Sequence, residues 1–346
     1  MVPQNHSSAI RAFILRNVSD HPEDITMLVT KEFGISRQAS HRHLVGLIKE
    51  GILESTGSAT RKRYKIKPRV QEGFRFQIST DLEEHIVWRE RISQYLQDIS
   101  PNILRICQYG FTEMFNNAVE HSNGTEIIVW FTYYPDKIEM QVVDNGIGIF
   151  RKLQQEMNLE DERHAILELS KGKLTTDAER HSGEGIFFTS RVFDEFCIFS
   201  GELFFAHSIG IEDDWLIEDT KSREGTRIIM TIGTHSVRDL TAIMDKYASA
   251  GDDYGFRKTH VPVSLARYGN ENLVSRSQAK RLLLRFDKFR EVFLDFKGVN
   301  SIGQPFADEI FRVFASQNAN IKLIRVNANE EVENMIKHAL ASLAPS

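Results

Sequence analysis

The stretch Phe111-Thr-Glu-Met-Phe-Asn-Asn-Ala-Val-Glu-His-Ser122 decides the fold of the central part of the chain. It lies in a helical pattern from Pro101 to Ser122, and Glu113 and Asn117, four residues apart, share one helix face. A triphosphate-bound Mg²⁺ takes few protein ligands and prefers hard oxygens, so the Asn117 side-chain carbonyl suits that role. Glu113 can deprotonate a water or a substrate hydroxyl. The alternative is a solvated Glu and Asn on an ordinary amphipathic helix.

A second block, Asp144-Asn-Gly-Ile-Gly-Ile149, follows a strand-like run at residues 138–143. An aspartate at a strand end can accept a hydrogen bond from an exocyclic amine, such as that of adenine. Gly146 and Gly148 allow a sharp turn and a close approach of the backbone to a ligand. On its own the block also fits a plain turn, because Asp-Asn-Gly is a common turn sequence.

Two further blocks contain glycine. Gly183 and Gly185 open an apolar helical run, where free backbone N–H groups and the helix dipole favour phosphate oxygens. Thr226 begins a strand, and its hydroxyl would bridge Asp144 and the base, although a threonine there is ordinarily only a strand former. Each block is weak alone, but the four in this order predict a pocket for ATP and Mg²⁺.

The four blocks resemble the N, G1 and G2 boxes and the closing Gly-Thr of the superfamily of DNA gyrase, histidine kinases, mismatch-repair ATPases and heat-shock-90 chaperones, over residues 95–233. The resemblance implies an α/β sandwich with Glu113 as general base, Asn117 as Mg²⁺ ligand and Asp144 as adenine anchor. Residues 150–181 would form a mobile ATP lid. The residues that would shape the nucleotide loops or reach the phosphates are Gly146, Gly148, Gly183, Gly185, Lys171, Lys173 and Arg180. Glu-x-x-x-Asn-Ala-x-x-His is especially similar to the anti-sigma-factor serine kinases.

Composition limits the class of protein. The chain has 346 residues, 41% hydrophobic and 26% charged, which indicates a globular protein of two or three domains. No run of 18 apolar residues and no signal-peptide pattern are present, so we expect a cytoplasmic protein without membrane contact. Cys107 and Cys197 lie in apolar stretches and are expected to be buried thiols in a reducing compartment, without a zinc-binding pattern.

Charge is unevenly spread along the chain. Residues 1–70 contain 12 Lys and Arg against 6 Asp and Glu, a net charge of +6, whereas the remainder carries −11. A basic head on an acidic body is expected when one end of a protein meets a polyanion.

The basic head has the pattern of three short helices and a hairpin. Helices are predicted at residues 8–18, 23–33 and 36–50, followed by a β-hairpin whose second arm is basic. The stretch Gly34-Ile-Ser-Arg-Gln-Ala-Ser-His-Arg-His-Leu44, with the hairpin, resembles winged helix-turn-helix transcription regulators over residues 5–68. One departure is Ser40, where such helices usually bury an apolar residue.

That resemblance implies DNA as a partner, with the third helix in the major groove and the wing on phosphates. The residues expected to contact DNA are Ser36, Arg37, Gln38, His41 and Arg42 on the helix and Arg61, Lys62 and Arg63 in the wing. The alternative is a winged helix that contacts protein, with its charges merely solvated.

From Lys258 onward, short apolar runs alternate with helical patterns, which predicts a small α/β layer. Phe293-Leu-Asp-Phe-Lys-Gly-Val-Asn-Ser-Ile302 resembles the strand and loop of STAS domains, as in anti-anti-sigma factors. Those proteins carry a phosphorylatable Ser just after the isoleucine, where this chain has Gly303. The resemblance therefore favours docking or dimerisation over a phosphoswitch.

The predicted organisation is a winged helix at residues 1–70, an ATP-binding domain at 71–245 that begins with a connecting helix at 71–98, and a STAS-like domain at 246–346. The predicted function is a DNA-binding transcription regulator in which Mg-ATP modulates DNA or partner binding. We expect it to act as a homodimer and to have no membrane partner. One alternative is a serine/threonine protein kinase that acts on a partner. A second is a slow ATPase switch. The C-terminal domain would bind a regulatory protein.

Overall fold

The computed structural model describes residues 3–58, 61–173, 183–208, 214–248, 256–267 and 271–341. The head consists of three helices and a two-stranded antiparallel hairpin, as the sequence predicts. They are α1 (Pro3–Asn17), α2 (Ile25–Phe33), α3 (Arg37–Lys49), β1 (Leu53–Thr56) and β2 (Arg63–Ile66). These elements enclose a hydrophobic core of their own, separate from the core of the rest of the chain.

Ser40, the polar residue in an otherwise apolar helix position, is fully buried between α2 and α3. Its hydroxyl donates a hydrogen bond to the carbonyl of Thr26, at 3.2 Å. A buried hydroxyl is tolerated when it is hydrogen-bonded, so this serine fits the core because α2 supplies an acceptor.

The centre of the chain is an antiparallel five-stranded sheet in the order β3-β4-β5-β7-β6. Its strands are β3 (Val70–Gln77), β4 (Glu126–Tyr133), β5 (Lys137–Asp144), β6 (Glu195–Ser208) and β7 (Asp214–Gly233). The helices packed with it are α4 (Glu84–Val87), α5 (Pro101–His121), α6 (Ile149–Glu156), α7 (Glu162–Lys171), α8 (Gly185–Val192) and α9 (Leu240–Tyr247).

The prediction of a connecting helix over residues 71–98 is wrong for its first part. Strand β3 pairs with β4 along its whole length, from Val70 opposite Tyr133 to Gln77 opposite Glu126. Phe74 and Phe76 are two residues apart and pack on the core from one face of the strand, which is the period of a strand. The second part is helical, because α4 continues through a π-helical turn, Trp88–Ile92.

Helix α5 is the longest helix in the described part of the chain, and one of its faces is fully buried. This buried face includes Gly110, which lies against the ring of Phe193. The glycine lets the helix and the segment after α8 approach closely. This packing fixes the position of α5, and therefore of Glu113 and Asn117, which follow Gly110 by three and seven residues on nearly the same side of the helix.

The C-terminal region is a three-stranded parallel sheet in the order β10-β9-β8, with helices at its side. Its elements are β8 (Lys258–Pro262), α10 (Arg276–Leu283), β9 (Glu291–Asp295), α11 (Gln304–Asp308), α12 (Ala315–Gln317), β10 (Lys322–Val326) and α13 (Glu330–Ala341). Its buried residues form one continuous hydrophobic cluster with those of the central domain. In the described ranges, no helix has both the length and the apolar character needed to cross a bilayer.

Replacing Gly110 by alanine should destabilise the central domain, because the added Cβ would lie 2.3 Å from Cε2 of Phe193. Overpacking of a core costs about 1–3 kcal/mol of unfolding free energy. The matched control is Gly46→Ala in α3, where a Cβ meets no atom within 4 Å and should stabilise the helix by about 0.5–1 kcal/mol. Urea unfolding measures both. An unchanged midpoint for Gly110→Ala would contradict the packing of α5.

Candidate functional site

A cavity of about 280 Å³ lies where α5, α6, α7 and α8 meet strands β5 and β7. Seven of the residues predicted for nucleotide binding line it. They are Glu113, Asn117, Asp144, Gly148, Gly183, Gly185 and Thr226. These residues come from four separate parts of the sequence, and the fold brings them to one place.

Glu113 and Asn117 project from α5 into the cavity, one helical turn apart. The carboxylate of Glu113 lies against Gly185, where an added Cβ would be 2.0 Å from Oε2. A side chain at position 185 would therefore require this carboxylate to move from its present place. Burial, with the nearby charges of Glu113 and Glu184, raises the pKa of the Tyr109 hydroxyl. The site thus has an acidic side at the beginning of α8.

Asp144 forms the floor of the cavity at the end of β5 and is 7% exposed. Its Oδ1 accepts hydrogen bonds from the backbone N–H of Gly146, at 2.9 Å, and of Thr226, at 3.2 Å. Burial raises the pKa of this carboxyl, although the hydrogen bonds partly oppose the shift. A desolvated carboxylate held in this way is suited to accept a hydrogen bond from a base amine.

The loop that follows Asp144 needs glycine for steric reasons. A Cβ on Gly146 would lie 2.0 Å from the carbonyl oxygen of Ser122, at the end of α5. Gly148 has a φ of +89°, a left-handed conformation that favours glycine. Gly146 underlies the cavity and is not part of its lining, so its role is to bring the loop against α5.

Thr226 ties this loop to strand β7. Its hydroxyl is hydrogen-bonded to Asp144 and accepts a hydrogen bond from the backbone N–H of Ile149, at 3.0 Å. The predicted contact with Asp144 is therefore present. The contact with Ile149, at the first residue of α6, was not predicted.

Sequence reasoning missed Lys152 and its partners. The Nζ of Lys152 donates to the carbonyl of His121 at the end of α5, at 2.7 Å, and lies 3.5 Å from Glu156. All three residues line the cavity. The only sequence signal was the four-residue spacing of Lys152 and Glu156, which is equally typical of a solvated helix face.

Lys171 does not reach the cavity, contrary to prediction. Its side chain is fully buried, 2.5 Å from Oε1 of Glu168, and donates to the carbonyl of Leu284 in the C-terminal domain. Lys173 likewise donates to a C-terminal carbonyl, that of Lys288. Lys171 ends α7 and Lys173 follows two residues later, and both side chains contact the C-terminal domain. Their sequence positions, before the glycine block at 183–185, do not show these contacts.

The first part of the expected lid over residues 150–181 contains two helices. Residues 149–156 and 162–171 form α6 and α7, and α7 is buried from His164 through Lys171. A helix enclosed on all sides is held by packing. Arg180, a predicted phosphate contact, lies outside the described residues.

The lining fits a nucleotide that carries its own cation. Three carboxylates, those of Glu113, Asp144 and Glu156, face one lysine, Lys152, among the described lining residues. A polyphosphate would be repelled there unless a divalent ion neutralised it. The described residues contain no group of three or more His, Cys, Asp or Glu placed to hold a metal. If a nucleotide brought Mg²⁺ into the cavity, the side-chain oxygen of Asn117 would be one candidate protein ligand beside phosphate and water.

Comparison with protein families agrees with this geometry. Residues 78–202 match the family described as a histidine kinase-like ATPase domain. Residues 278–333 match a STAS-like domain of unknown function (DUF4325). A search of curated proteins found no significant match. The predicted ATPase superfamily and the STAS-like character of the C-terminal domain are confirmed, and neither match covers the head.

Asp144→Asn should stabilise the nucleotide-free protein at neutral pH. Burial raises the pKa of the carboxyl, so the folded state binds a proton that the unfolded state has already lost. The ionised Asp144 therefore lowers the free energy of unfolding by its full amount above the folded-state pKa. This loss disappears as the pH falls through that pKa. The advantage of the amide, measured by thermal unfolding, should therefore shrink on acidification. A stability loss at neutral pH would contradict the desolvation of Asp144.

Proposed function

We propose that this chain, whose central domain belongs to the histidine kinase-like ATPase superfamily, is a DNA-binding regulator that responds to Mg-ATP. The family match supports nucleotide binding in the central domain. The observation that carries the DNA proposal is an exposed basic surface on the head, formed by α3 and the hairpin.

The first part of this surface is the N-terminal half of α3. The Ser36 hydroxyl caps the helix by accepting from the N–H of Ala39, at 3.2 Å. The predicted base-contacting side chains, Arg37, Gln38, His41 and Arg42, are all exposed. Arginine and glutamine can make paired hydrogen bonds to guanine and adenine, so this face has the chemistry for reading a major groove.

The second part is the hairpin. Arg61, Arg63, Lys65 and Lys67 occupy every second position and are all exposed, whereas Tyr64 and Ile66 are buried in the head core. Arg63 and Lys65 therefore project from one face of β2, and Arg61 and Lys67 flank the strand as further exposed cations that could contact phosphates. Arg63 also pairs with Glu23, at 3.1 Å, and Lys62 is half-buried. We therefore propose Arg61, Lys65 and Lys67 as the main phosphate contacts, and Lys62 and Arg63 as weaker candidates.

A short and structured connection supports communication between the head and the ATP domain. Only residues 67–69 separate β2 from β3. The backbone N–H of Arg69 donates to the carbonyl of Tyr133, at 2.7 Å, and Tyr134 packs on the head core. The turn after Tyr134 leads into β5, which ends at Asp144. One strand thus joins the head contact to the cavity floor.

In this proposal Mg-ATP changes DNA affinity because it binds two arrangements of the head unequally, which is the condition for any such coupling. Glu113, Asn117 and Asp144 hold the nucleotide, and Asn117 supplies the ligand to Mg²⁺. The chain acts as a homodimer, since one winged helix covers only a short DNA site. The STAS-like domain is the surface for a regulatory protein.

A protein kinase is the second candidate, and the position of Glu113 favours it. This carboxylate lines the cavity beside Gly185, where the helical start of α8 would meet phosphates, so it is placed to accept a proton from a hydroxyl. Incubation with γ-labelled ATP separates the two candidates. Label transferred to a serine or threonine of a partner, and lost in Glu113→Gln, would establish the kinase.

DNA binding should depend on the nucleotide. We expect the affinity of the full chain for its own promoter region to differ between no nucleotide and Mg-ATP by about 5–150-fold, the usual range of coupling between two sites. Asn117→Ala should remove the difference and leave nucleotide-free DNA binding unchanged. Equal affinity under all conditions, in a protein shown to bind ATP, would contradict the proposed response.

The two parts of the basic surface should respond differently to substitution. Lys65→Ala should weaken binding to all DNA sequences and reduce the slope of log affinity against log salt by about 1. Arg37→Ala should cost about 1–3 kcal/mol for the preferred site and much less for other sequences. Lys49→Ala is the control, an exposed lysine at the end of α3. Equal effects of all three variants would contradict the assignment.

A further inference from the structure

We propose that the C-terminal domain supports the wall of the nucleotide cavity from behind, and that Arg285 of this domain is a positioning residue for nucleotide binding. The inference rests on the proposed nucleotide binding. It concerns two helices, α7 and α8, each of which faces the cavity on one side and the C-terminal domain on the other.

Helix α7 makes the first connection. Leu169 lines the cavity, whereas Glu168 and Lys171 face the C-terminal domain from the same helix. Both charged side chains are fully buried. The carboxylate of Glu168 is the common partner, since Oε1 lies 2.5 Å from Lys171 Nζ and Oε2 lies 3.0 Å from Arg285. The helix cannot turn Leu169 away from the cavity without separating these charges.

Arg285 also holds the backbone directly after α7. Its guanidinium donates to the carbonyl of Gly172, at 3.1 Å, and to the carbonyl of Lys173. One planar group with several donors therefore connects Glu168 to two backbone carbonyls, which lysine cannot reproduce. Arg285 itself adopts a left-handed backbone conformation, with φ of 62°, just after α10.

Helix α8 makes the second connection through aromatic rings. Phe187 lines the cavity, and its ring centroid lies 4.7 Å from that of Phe256. Phe256 in turn contacts Phe289 in the C-terminal domain, at 5.7 Å. Gly172 fits between them, because a Cβ there would lie 2.7 Å from Phe256 and 3.0 Å from Phe187.

The two connections meet at Gly172, which Arg285 holds through its carbonyl and which the rings of Phe256 and Phe187 enclose. Leu169 and Phe187 therefore keep their places in the cavity because the C-terminal domain is docked. Linkage makes the effect reciprocal, so a nucleotide that contacts this wall also stabilises the docked domain.

The test measures Mg-ATP affinity by titration calorimetry on the full chain and on Arg285→Ala. We expect the variant to bind at least about fivefold more weakly, the lower end of usual coupling between sites. Arg290→Ala, an exposed arginine nearby in the same domain, is the matched control and should bind as the wild type does. If the wild type binds no nucleotide, the proposed function itself fails. If wild type and Arg285→Ala bind equally, only the present inference fails.

A second variant separates positioning from folding. Glu168→Leu, Lys171→Met and Arg285→Leu together remove the buried charges without leaving one of them alone, an exchange that is often neutral or stabilising. We expect near-normal thermal stability but weakened Mg-ATP binding, because the carbonyls of Gly172 and Lys173 lose their donor. The single variant Arg285→Lys should bind Mg-ATP more tightly than Arg285→Ala but more weakly than the wild type. A stable triple variant with wild-type affinity would overturn the proposal.

Discussion

A single buried carboxylate, that of Glu168, joins two domains of this protein. It lies between Lys171 of its own helix and Arg285 of the C-terminal domain, and none of its surface is exposed. Burial alone would raise its pKa, but the charge of Lys171, the nearby ring of His164, 3.6 Å away, the hydrogen bond from Lys171 and the charge of Arg285 lower it, so the carboxylate stays ionised. Removing one member of such a group costs about 3–5 kcal/mol, because a charge is left buried without a partner. The central and C-terminal domains therefore share one core.

A second constraint acts at the other end of the cavity. Oδ1 of Asp144 accepts hydrogen bonds from two N–H groups that are distant in sequence, on Gly146 and on Thr226. These bonds fix the end of β5, the loop before α6 and the residue of β7 that precedes its pairing with β5 in one arrangement. The floor of the cavity is thus preorganised by backbone donors, and its wall is held by the packing of the C-terminal domain behind it. The head is attached at the opposite end of β5.

The sequence predicts those parts of the molecule whose signals are local. Helix α5 has a long apolar period, and the glycines at 146, 148, 183 and 185 follow from backbone requirements, so the cavity lining could be assembled before the fold was known. Strand β3 was missed because Phe74 and Phe76 give only a short alternation among charged residues. Lys171 was misassigned because the carbonyls that accept its hydrogen bonds, those of Arg281 and Leu284, are more than a hundred residues away in sequence. Lys152 had no local signal beyond that of a solvated helix. Packing between domains decided these positions.

Hydrogen exchange of the full chain, with and without Mg-ATP, tests most directly the claim that the nucleotide cavity and the C-terminal domain form one unit. We expect slower exchange in Mg-ATP at α5 and the loop of residues 144–149, which would contact the nucleotide. We also expect slower exchange at α7 and in residues 281–289, which contact no nucleotide but hold the wall of the cavity. Protection confined to α5 and the loop, with residues 281–289 unchanged, would contradict the account.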